Sequence, residues 1–189
     1  MRLVLASSSP RRAELLAAAG YTFTVSAVAV DERVRPGEAA ADYVRRLASE
    51  KSARALELLD GPGDVAIIGA DTAVVVDEQI LGKPRDDDEA RDMVRRLSGR
   101  AHEVMTGVSL RSSERELTAV ENTRVWCAVV TPEDIEWYIS TGEGRDKAGA
   151  YAIQGRASRF IVRIAGSYSN VVGLPVAVVS ELLGRLGSR

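Results

Sequence analysis

The chain has 189 residues, of which 46% are hydrophobic and 28% charged, and its formal net charge at pH 7 is −2. This composition is typical of a globular protein with a substantial core, and the slightly acidic balance disfavours binding to nucleic acid or to an anionic membrane. The single cysteine, Cys127, excludes an intrachain disulfide and a cysteine metal cluster. No apolar run is as long as a membrane span and no signal peptide is recognisable, so we expect a cytoplasmic protein.

The N-terminal segment predicts a strand followed by a helix. Leu3–Ala6 is apolar and strand-like, whereas Arg12–Ala19 is a run of good helix formers. Ser9 is then the expected N-cap, Pro10 the first helical residue and Gly20 the stop signal. A short turn rich in serine therefore connects the two elements.

Two arginines occupy the first turn of this helix. The helix dipole is positive there, so a cation such as Arg11 or Arg12 costs up to about 1 kcal/mol, and a capping box would place Glu at position 12. An anion held by the helix start, the serines and both arginines would compensate for this cost. The pattern therefore predicts an anion site at this turn.

The rest of the chain alternates strands and helices early and forms long hairpins in the middle. We expect one α/β domain over residues 1–189 with a mixed β-sheet, because there are no repeats and no clear linker. The predicted strands cover residues 23–30, 65–76 (one strand or two pieces), 80–81, 104–110, 117–130 (antiparallel to the preceding strand), 151–154 and 160–164. The predicted helices cover residues 40–59, 86–97, 132–140 and 176–186, and a turn is predicted at 60–63.

Asp71 is an ionisable residue within the most apolar segment of the chain, IIGADTAVVV. An unpaired carboxylate there would be expensive to bury. It is therefore either a turn residue between two strand pieces or a functional group, as a metal ligand or a general base.

Other charged residues allow a structural and a functional interpretation. Lys83 lies in the turn LGKPR, and Lys51 lies on a predicted helix, where an exposed charge is the default. Glu32 belongs to an acidic pair of the kind found in surface turns. Asp86–Asp88 match the dipole of a helix start better than they indicate a metal site. His102, the only histidine, is more typical of a packed or surface residue than of a catalytic one.

Together these residues indicate polyphosphate chemistry. Cations can hold phosphates, while carboxylates can hold magnesium or activate water. The sequence contains no Walker A motif, no dinucleotide fingerprint and no G-x-S-x-G elbow. A nucleotide phosphate would therefore be bound by another architecture.

Six blocks of the sequence make a family recognisable. They are SSSPRRAELL, GADTAVVV, LGKP, LSGRAHEVMTGV, DKAGAYAIQG and GSYSNVVGLP. Their order and combination resemble the signature blocks of the Maf family, and they extend from residue 7 to about residue 175. The segment from Ser109 to Val130 carries little of this signature.

The resemblance implies a nucleoside triphosphate pyrophosphatase, which releases the monophosphate and pyrophosphate with a divalent cation, Mg²⁺ or Mn²⁺. It implies the fold of inosine triphosphate pyrophosphatases: an elongated mixed sheet with flanking helices and two lobes with a cleft. It also implies a homodimer, and the family is associated with septum formation in cell division.

The same resemblance assigns roles to residues at matching positions. Asp71 corresponds to the general base, and Glu32 together with Asp71 to metal ligands. The residues at phosphate-binding positions are Ser7, Arg12, Lys51 and Lys83.

Three further positions distinguish the subgroups of the family, and here they are Arg11, Thr72 and Gln154. This set resembles the subgroup that acts on dTTP and UTP, whereas the subgroup for 7-methyl-GTP has tryptophan, glutamine and glutamate. Gln154 offers both a donor and an acceptor, as the imide edge of thymine or uracil requires. In this interpretation Arg12 binds phosphate and Arg11 helps to select the nucleotide.

The leading hypothesis is therefore a pyrophosphatase for dTTP and UTP, with modified pyrimidine nucleotides as further substrates. One alternative keeps the reaction and changes the substrate to a methylated or otherwise modified nucleotide. The other alternative is a nucleotide-binding regulator of cell division. A nucleic-acid-binding module conflicts with the acidic balance and the few aromatic residues.

Overall fold

The structure, a computed structural model, describes residues 1–59 and 63–187 and contains a mixed β-sheet with flanking helices. The strands are β1 (Arg2–Ala6), β2 (Thr24–Val25), β3 (Val65–Val76), β4 (Gln79–Leu81), β5 (Ala101–Arg111), β6 (Glu116–Cys127) and β7 (Ile161–Ala165). The helices are α1 (Pro10–Ala18), α2 (Ala40–Glu57), α3 (Asp87–Leu97), α4 (Pro132–Ser140), α5 (Tyr168–Val172) and α6 (Val176–Gly187). The strand order is β2-β1-β3-β5-β6-β7, and β4 pairs with β3. The predicted α/β class with a mixed sheet is confirmed.

The chain divides into two compact units. Unit 1 consists of Met1–Thr72, Thr106–Glu121 and Gly173–Arg189, and unit 2 consists of Ala73–Met105 and Asn122–Val172. The proposal of one domain over residues 1–189 stays a prediction. Most of the predicted turn at 60–63 lies outside the described residues. Among the described helices, none combines the length and apolarity needed to cross a membrane.

In unit 1, the parallel strand β1 pairs with β2 on one side and with β3 on the other. Leu5 of β1, Leu16 of α1 and Leu182 of α6 are buried in one hydrophobic cluster of this unit. The predicted strand at 23–30 is wrong beyond Val25. β1 ends at Ala6, and the amide of Ser26 makes a last hydrogen bond to the Leu5 carbonyl (2.9 Å), so the following residues have no strand partner there.

The first helix begins as predicted at Pro10, after Ser9 as N-cap. The Ser9 hydroxyl makes no capping hydrogen bond, and the first turn contains no acidic residue. Gly20 follows the helix with φ of +84°, the left-handed conformation that glycine adopts readily.

Strand β3 is one continuous strand of 12 residues, and Asp71 lies in its interior. The interpretation of Asp71 as a turn residue between two strand pieces is therefore wrong. Helix α2 buries Tyr43, Val44, Leu47 and Ala48, whose spacing places them on one face of the helix. Its buried residues also include Lys51, for which solvent exposure is the default expectation.

Unit 2 begins with an antiparallel β3–β4 hairpin, whose turn residues Asp77 and Glu78 have positive φ angles. The side chain of Asp86 then caps α3 by accepting a hydrogen bond from the amide of Glu89 (2.8 Å). Asp86–Asp88 therefore stabilise the N-terminus of this helix, as their position predicts.

Two predictions for unit 2 need correction. Residues 151–154 form no strand but lead into a turn, in which the amide of Gly155 donates to the Ala152 carbonyl (3.1 Å). Helix α5 was not predicted, since five residues are too few for a periodic pattern.

Candidate active site

A buried ion cluster in unit 1 joins three of the predicted residues. The Lys51 ammonium lies 2.6 Å from Asp71 Oδ1 and 2.7 Å from Glu32 Oε1. Lys51 comes from helix α2, Asp71 from strand β3, and Glu32 from the segment between β2 and α2. One cation therefore bridges two carboxylates, and it compensates for the cost of burying Asp71.

The three members of this cluster differ in their access to solvent. Asp71 and Lys51 are 8% and 7% exposed, whereas the Glu32 side chain is about half exposed at 49%. The cluster thus has a closed side at Asp71 and an open side at Glu32. Solvent therefore contacts this cluster mainly at Glu32.

Tyr43 supports the open side of the cluster. Its hydroxyl donates a hydrogen bond to the backbone carbonyl of Glu32 (3.0 Å). Burial raises the Tyr43 pKa well above its usual value, and the negative charges of Asp71 and Glu32 raise it further. Tyr43 therefore remains a neutral phenol and anchors the Glu32 backbone to helix α2.

A second network in unit 1 surrounds the Arg12 guanidinium. Arg12 Nε donates to the Gly173 carbonyl (2.8 Å), and Nη1 donates to the Ala70 carbonyl (2.8 Å) and to Ser7 Oγ (3.2 Å). Its Nη2 donates to Thr72 Oγ1 (3.1 Å). Ala70 and Thr72 flank Asp71 on β3, so Arg12 is hydrogen-bonded to the strand on both sides of that carboxylate.

Arg12 is a buried cation, with only 9% of its surface exposed. Burial lowers the pKa of its guanidinium, and the negative charge of Asp71 opposes that shift. The side chain at the N-terminal turn of α1 thus points inward and satisfies carbonyl groups. The structure gives Arg12 a packing role that the sequence pattern did not predict.

Thr106 of β5 is a residue that the prediction missed. Its hydroxyl lies 2.9 Å from the hydroxyl of Thr72, which also contacts the Gly173 carbonyl (3.3 Å). Thr106 is fully buried. It lies within the block LSGRAHEVMTGV, so the block was a usable signal although no role was inferred from this threonine.

The structure therefore brings together seven of the nine predicted site residues within unit 1. Six of them form the two adjoining networks, and Arg11 lies next to Arg12 in the first turn of α1 with partial exposure. The six residues are Ser7, Arg12, Glu32, Lys51, Asp71 and Thr72.

The other two predicted residues, Lys83 and Gln154, belong to unit 2 and are both exposed. Lys83 follows strand β4, and Gln154 lies in the turn before the 3₁₀ segment Arg156–Phe160. The loop of Lys83 is held within this unit by a hydrogen bond from the Gly149 amide to the Gly82 carbonyl (3.0 Å).

The donor set of the ion cluster restricts the metals it could hold. In the described part of the chain, no group of three or more His, Cys, Asp or Glu side chains is arranged to hold a metal ion. Two carboxylates, Glu32 and Asp71, are the hard oxygen donors at the cluster. This is enough for Mg²⁺, which is commonly held by one or two carboxylates together with substrate phosphates and water.

Comparison with known proteins now decides the family. The sequence pattern described as Maf-like protein matches residues 2–186. The chain belongs to the Maf family. Among relatives, a dTTP/UTP pyrophosphatase of Methylococcus capsulatus is 50% identical over 187 residues, which cover 99% of this chain and 92% of that protein. A dTTP/UTP pyrophosphatase of Anaeromyxobacter dehalogenans is 52% identical over 190 residues, covering 98% of this chain and 94% of that protein.

A solved structure supports the fold of this Maf family member. The Staphylococcus aureus Ham1 protein aligns with a TM-score of 0.55 over 98% of this chain and 99% of that one, at 12% sequence identity. At this identity the likeness concerns the fold alone. It agrees with the α/β architecture described above.

Proposed function

We propose that this protein is a nucleoside triphosphate pyrophosphatase that hydrolyses dTTP and UTP to the monophosphate and pyrophosphate. The observation that carries the proposal is the Lys51–Asp71 pair: a buried carboxylate on the largely apolar strand β3 is paired with a lysine of helix α2. Relatives that are about half identical over nearly the whole chain, and that are named dTTP/UTP pyrophosphatase, support the substrate.

In the proposed reaction, Asp71 is the general base. A water molecule attacks a phosphorus atom of the α–β anhydride, and its proton passes to the Asp71 carboxylate. The bond from that phosphorus to the bridging oxygen breaks, the bridging oxygen departs with the other phosphorus, and the monophosphate and pyrophosphate separate. Lys51 holds the Asp71 carboxylate in one orientation, so the base is in position before the water arrives.

Glu32 and Asp71 would hold the divalent cation, Mg²⁺ or Mn²⁺. When bound, the cation supplies positive charge that offsets the charge developing on the phosphate oxygens. The same two carboxylates contact Lys51, so the lysine and the cation would share these two residues. The partly exposed Glu32 is the member that offers the cation access from solvent.

The phosphate chain is proposed to bind Ser7, Arg12, Lys51 and Lys83. Arg12 and Ser7 support this assignment because they contact each other at the start of α1, where the helix dipole also favours an anion. Arg11, Thr72 and Gln154 are proposed to select the base. Gln154 is exposed, so both its amide donor and its amide acceptor are accessible to a pyrimidine edge.

We also propose that the protein acts as a homodimer in the cytoplasm, on a small-molecule nucleotide rather than on nucleic acid or at a membrane. The net charge of −2 supports the last point.

Identification of the products tests the proposed function. Purified protein is incubated with Mg²⁺ and one nucleotide at a time (dTTP, UTP, CTP, ATP, GTP or 7-methyl-GTP), with a parallel series in EDTA. The proposal expects pyrophosphate plus monophosphate, fastest from dTTP and UTP and lost in EDTA. Orthophosphate as the first product contradicts the reaction, and nucleotide binding without any product supports the regulator instead.

A further inference from the structure

A cluster of polar side chains in unit 1 has no part in the proposed reaction. It consists of Ser49, Ser52, Ser109, Arg111 and Glu116, and we call it the Glu116 cluster. Oε1 of Glu116 accepts hydrogen bonds from the hydroxyls of Ser49 (2.6 Å) and Ser109 (2.7 Å), and Oε2 lies 2.6 Å from the Arg111 guanidinium. Arg111 Nε also donates to Ser52 Oγ (3.0 Å), which lies 2.7 Å from the Ser109 hydroxyl. The cluster therefore joins helix α2 to strands β5 and β6.

The carboxylate of Glu116 stays charged in this environment. Burial acts to raise its pKa, but the hydrogen bonds from Ser49 and Ser109 and the charge of Arg111 outweigh this effect and lower it. Ser52 and Ser109 are fully buried. Such directional contacts are satisfied in one register of the helix against the strands, whereas apolar packing would tolerate sliding.

Two glycines bring α2 unusually close to the sheet at the same place. A Cβ atom on Gly69 of β3 would lie 2.1 Å from the Ala48 carbonyl oxygen, and a Cβ atom on Gly107 of β5 would lie 2.2 Å from the Val44 carbonyl oxygen. The helix backbone thus rests directly on the two strands. Any other residue at either position would push α2 away.

These contacts surround the catalytic pair. Lys51 lies between Ser49 and Ser52 on α2, and Asp71 follows Gly69 by two residues on β3. The helix is therefore fixed against the strand within one turn of the lysine. A shift of α2 along β3 would move the Lys51 backbone relative to Asp71 and so change the geometry of the 2.6 Å contact between Lys51 Nζ and Asp71 Oδ1.

We propose that Glu116 is a positioning residue for Lys51: through Ser49, Ser109 and Arg111 it holds helix α2 in the register that places the lysine on Asp71. The proposal rests on the proposed function, in which Lys51 and Asp71 act on the nucleotide. Glu116 acts through the helix and does not touch the substrate.

A double-mutant cycle tests the positioning role. The change Glu116→Gln keeps the shape of the side chain but removes its charge and replaces one oxygen by an NH2 group. The remaining oxygen cannot accept hydrogen bonds from both serines and also pair with Arg111 in the present geometry. We expect kcat/KM for dTTP to fall about tenfold in the wild-type background and by less than about twofold in a Lys51→Met background, because the misplaced lysine is then absent. Radiolabelled dTTP makes the residual turnover of the slow variants measurable.

A matched control separates the cluster from the hairpin that carries it. Glu114→Gln changes an exposed carboxylate in the same β5–β6 hairpin and should leave kcat/KM unchanged. Ser109→Ala should repeat the background-dependent loss, and it provides the test if Glu116→Gln does not fold.

An equal loss in both backgrounds, or no loss from Glu116→Gln and Ser109→Ala, overturns the positioning role. Wild-type kcat/KM in Lys51→Met alone contradicts the role of Lys51 in the proposed function instead. The two failures are therefore distinguishable.

Discussion

Two clusters of titratable side chains, one in each unit, differ in whether their buried members are charged or neutral. In unit 1, Lys51 bridges Asp71 and Glu32 as an ion cluster. In unit 2, His102 Nε2 lies 2.8 Å from the Tyr151 hydroxyl and Nδ1 lies 4.0 Å from Cys127 Sγ. The His102 and Tyr151 rings pack edge to face, with centroids 5.3 Å apart.

The unit 2 cluster contains only neutral groups. Burial lowers the pKa of His102 to about 4 and raises the pKa of Cys127 to about 11. Burial also raises the pKa of Tyr151 well above its usual value. The thiol is therefore not a nucleophile at neutral pH. The histidine is a packed residue, one of the two structural roles that the sequence left open. Where burial acts without a counter-ion, as in unit 2, the groups are neutral at pH 7. In the ion cluster of unit 1, each buried charge instead lies within hydrogen-bond distance of an opposite charge.

The largest expected effect comes from removing the charged oxygen of the ion cluster. Asp71→Asn retains an acceptor for Lys51, so the protein should fold and bind dTTP. Its kcat should fall about a thousandfold, because the proposed general base is lost. Steady-state kinetics and calorimetric titration with dTTP measure the two quantities. Asp42→Asn, an exposed carboxylate on α2, is the control; turnover of Asp71→Asn at the wild-type rate would exclude Asp71 from the mechanism.

Removal of the Arg12 guanidinium should affect both stability and binding. Arg12→Ala leaves the carbonyls of Ala70 and Gly173 without their donor, so the free energy of unfolding should fall by about 2–5 kcal/mol. The KM for dTTP should rise in the fraction that remains folded. Urea unfolding followed by circular dichroism measures the first effect. Arg11→Ala, at the more exposed neighbouring position, should cost less than about 1 kcal/mol, and an equal cost would contradict the packing role of Arg12.

The smallest effect on activity is expected for His102, whose contribution is a pH dependence of stability. Between the pKa of His in an unfolded chain, about 6.5, and the folded value of about 4, protons bind only the unfolded state. The free energy of unfolding should therefore decrease as the pH is lowered through this window, by about 2–3 kcal/mol between pH 7 and pH 4.5. In His102→Gln this part of the dependence should disappear, while kcat stays within about twofold of wild type. Identical pH profiles of the unfolding free energy in both proteins would show that His102 is not the group responsible.

The elements that could be predicted from the sequence are those whose signals are local. Helix α3 has an acidic first turn, an N-cap at Asp86 and an apolar face, and it was predicted to within one residue at its start. The predicted strand at 23–30 failed because β1 offers a partner only as far as Ala6. The number of residues that pair is set by the neighbouring strand, which local sequence does not encode.

The candidate site divides in the same way. Asp71 is conspicuous in an apolar run, and the family resemblance named Lys51 and Glu32. That the lysine would touch both carboxylates depends on the packing of α2 against β3, elements that lie 20 residues apart at these positions. Glu116 and its serines carry no local signal, because a glutamate at the start of a hairpin strand resembles any surface residue. Only the assembled unit shows that its oxygens face inward.

The bridge made by Lys51 also has a consequence for electroneutrality. One ammonium against two carboxylates leaves that trio with an excess of one negative charge, which the buried guanidinium of Arg12 just balances. If the substrate binds as we propose, its polyphosphate meets no surplus of cations at these four side chains. The compensating charge has to come from its own counter-ions or from other parts of the protein, so capture of the nucleotide should depend on the ionic form in which it diffuses.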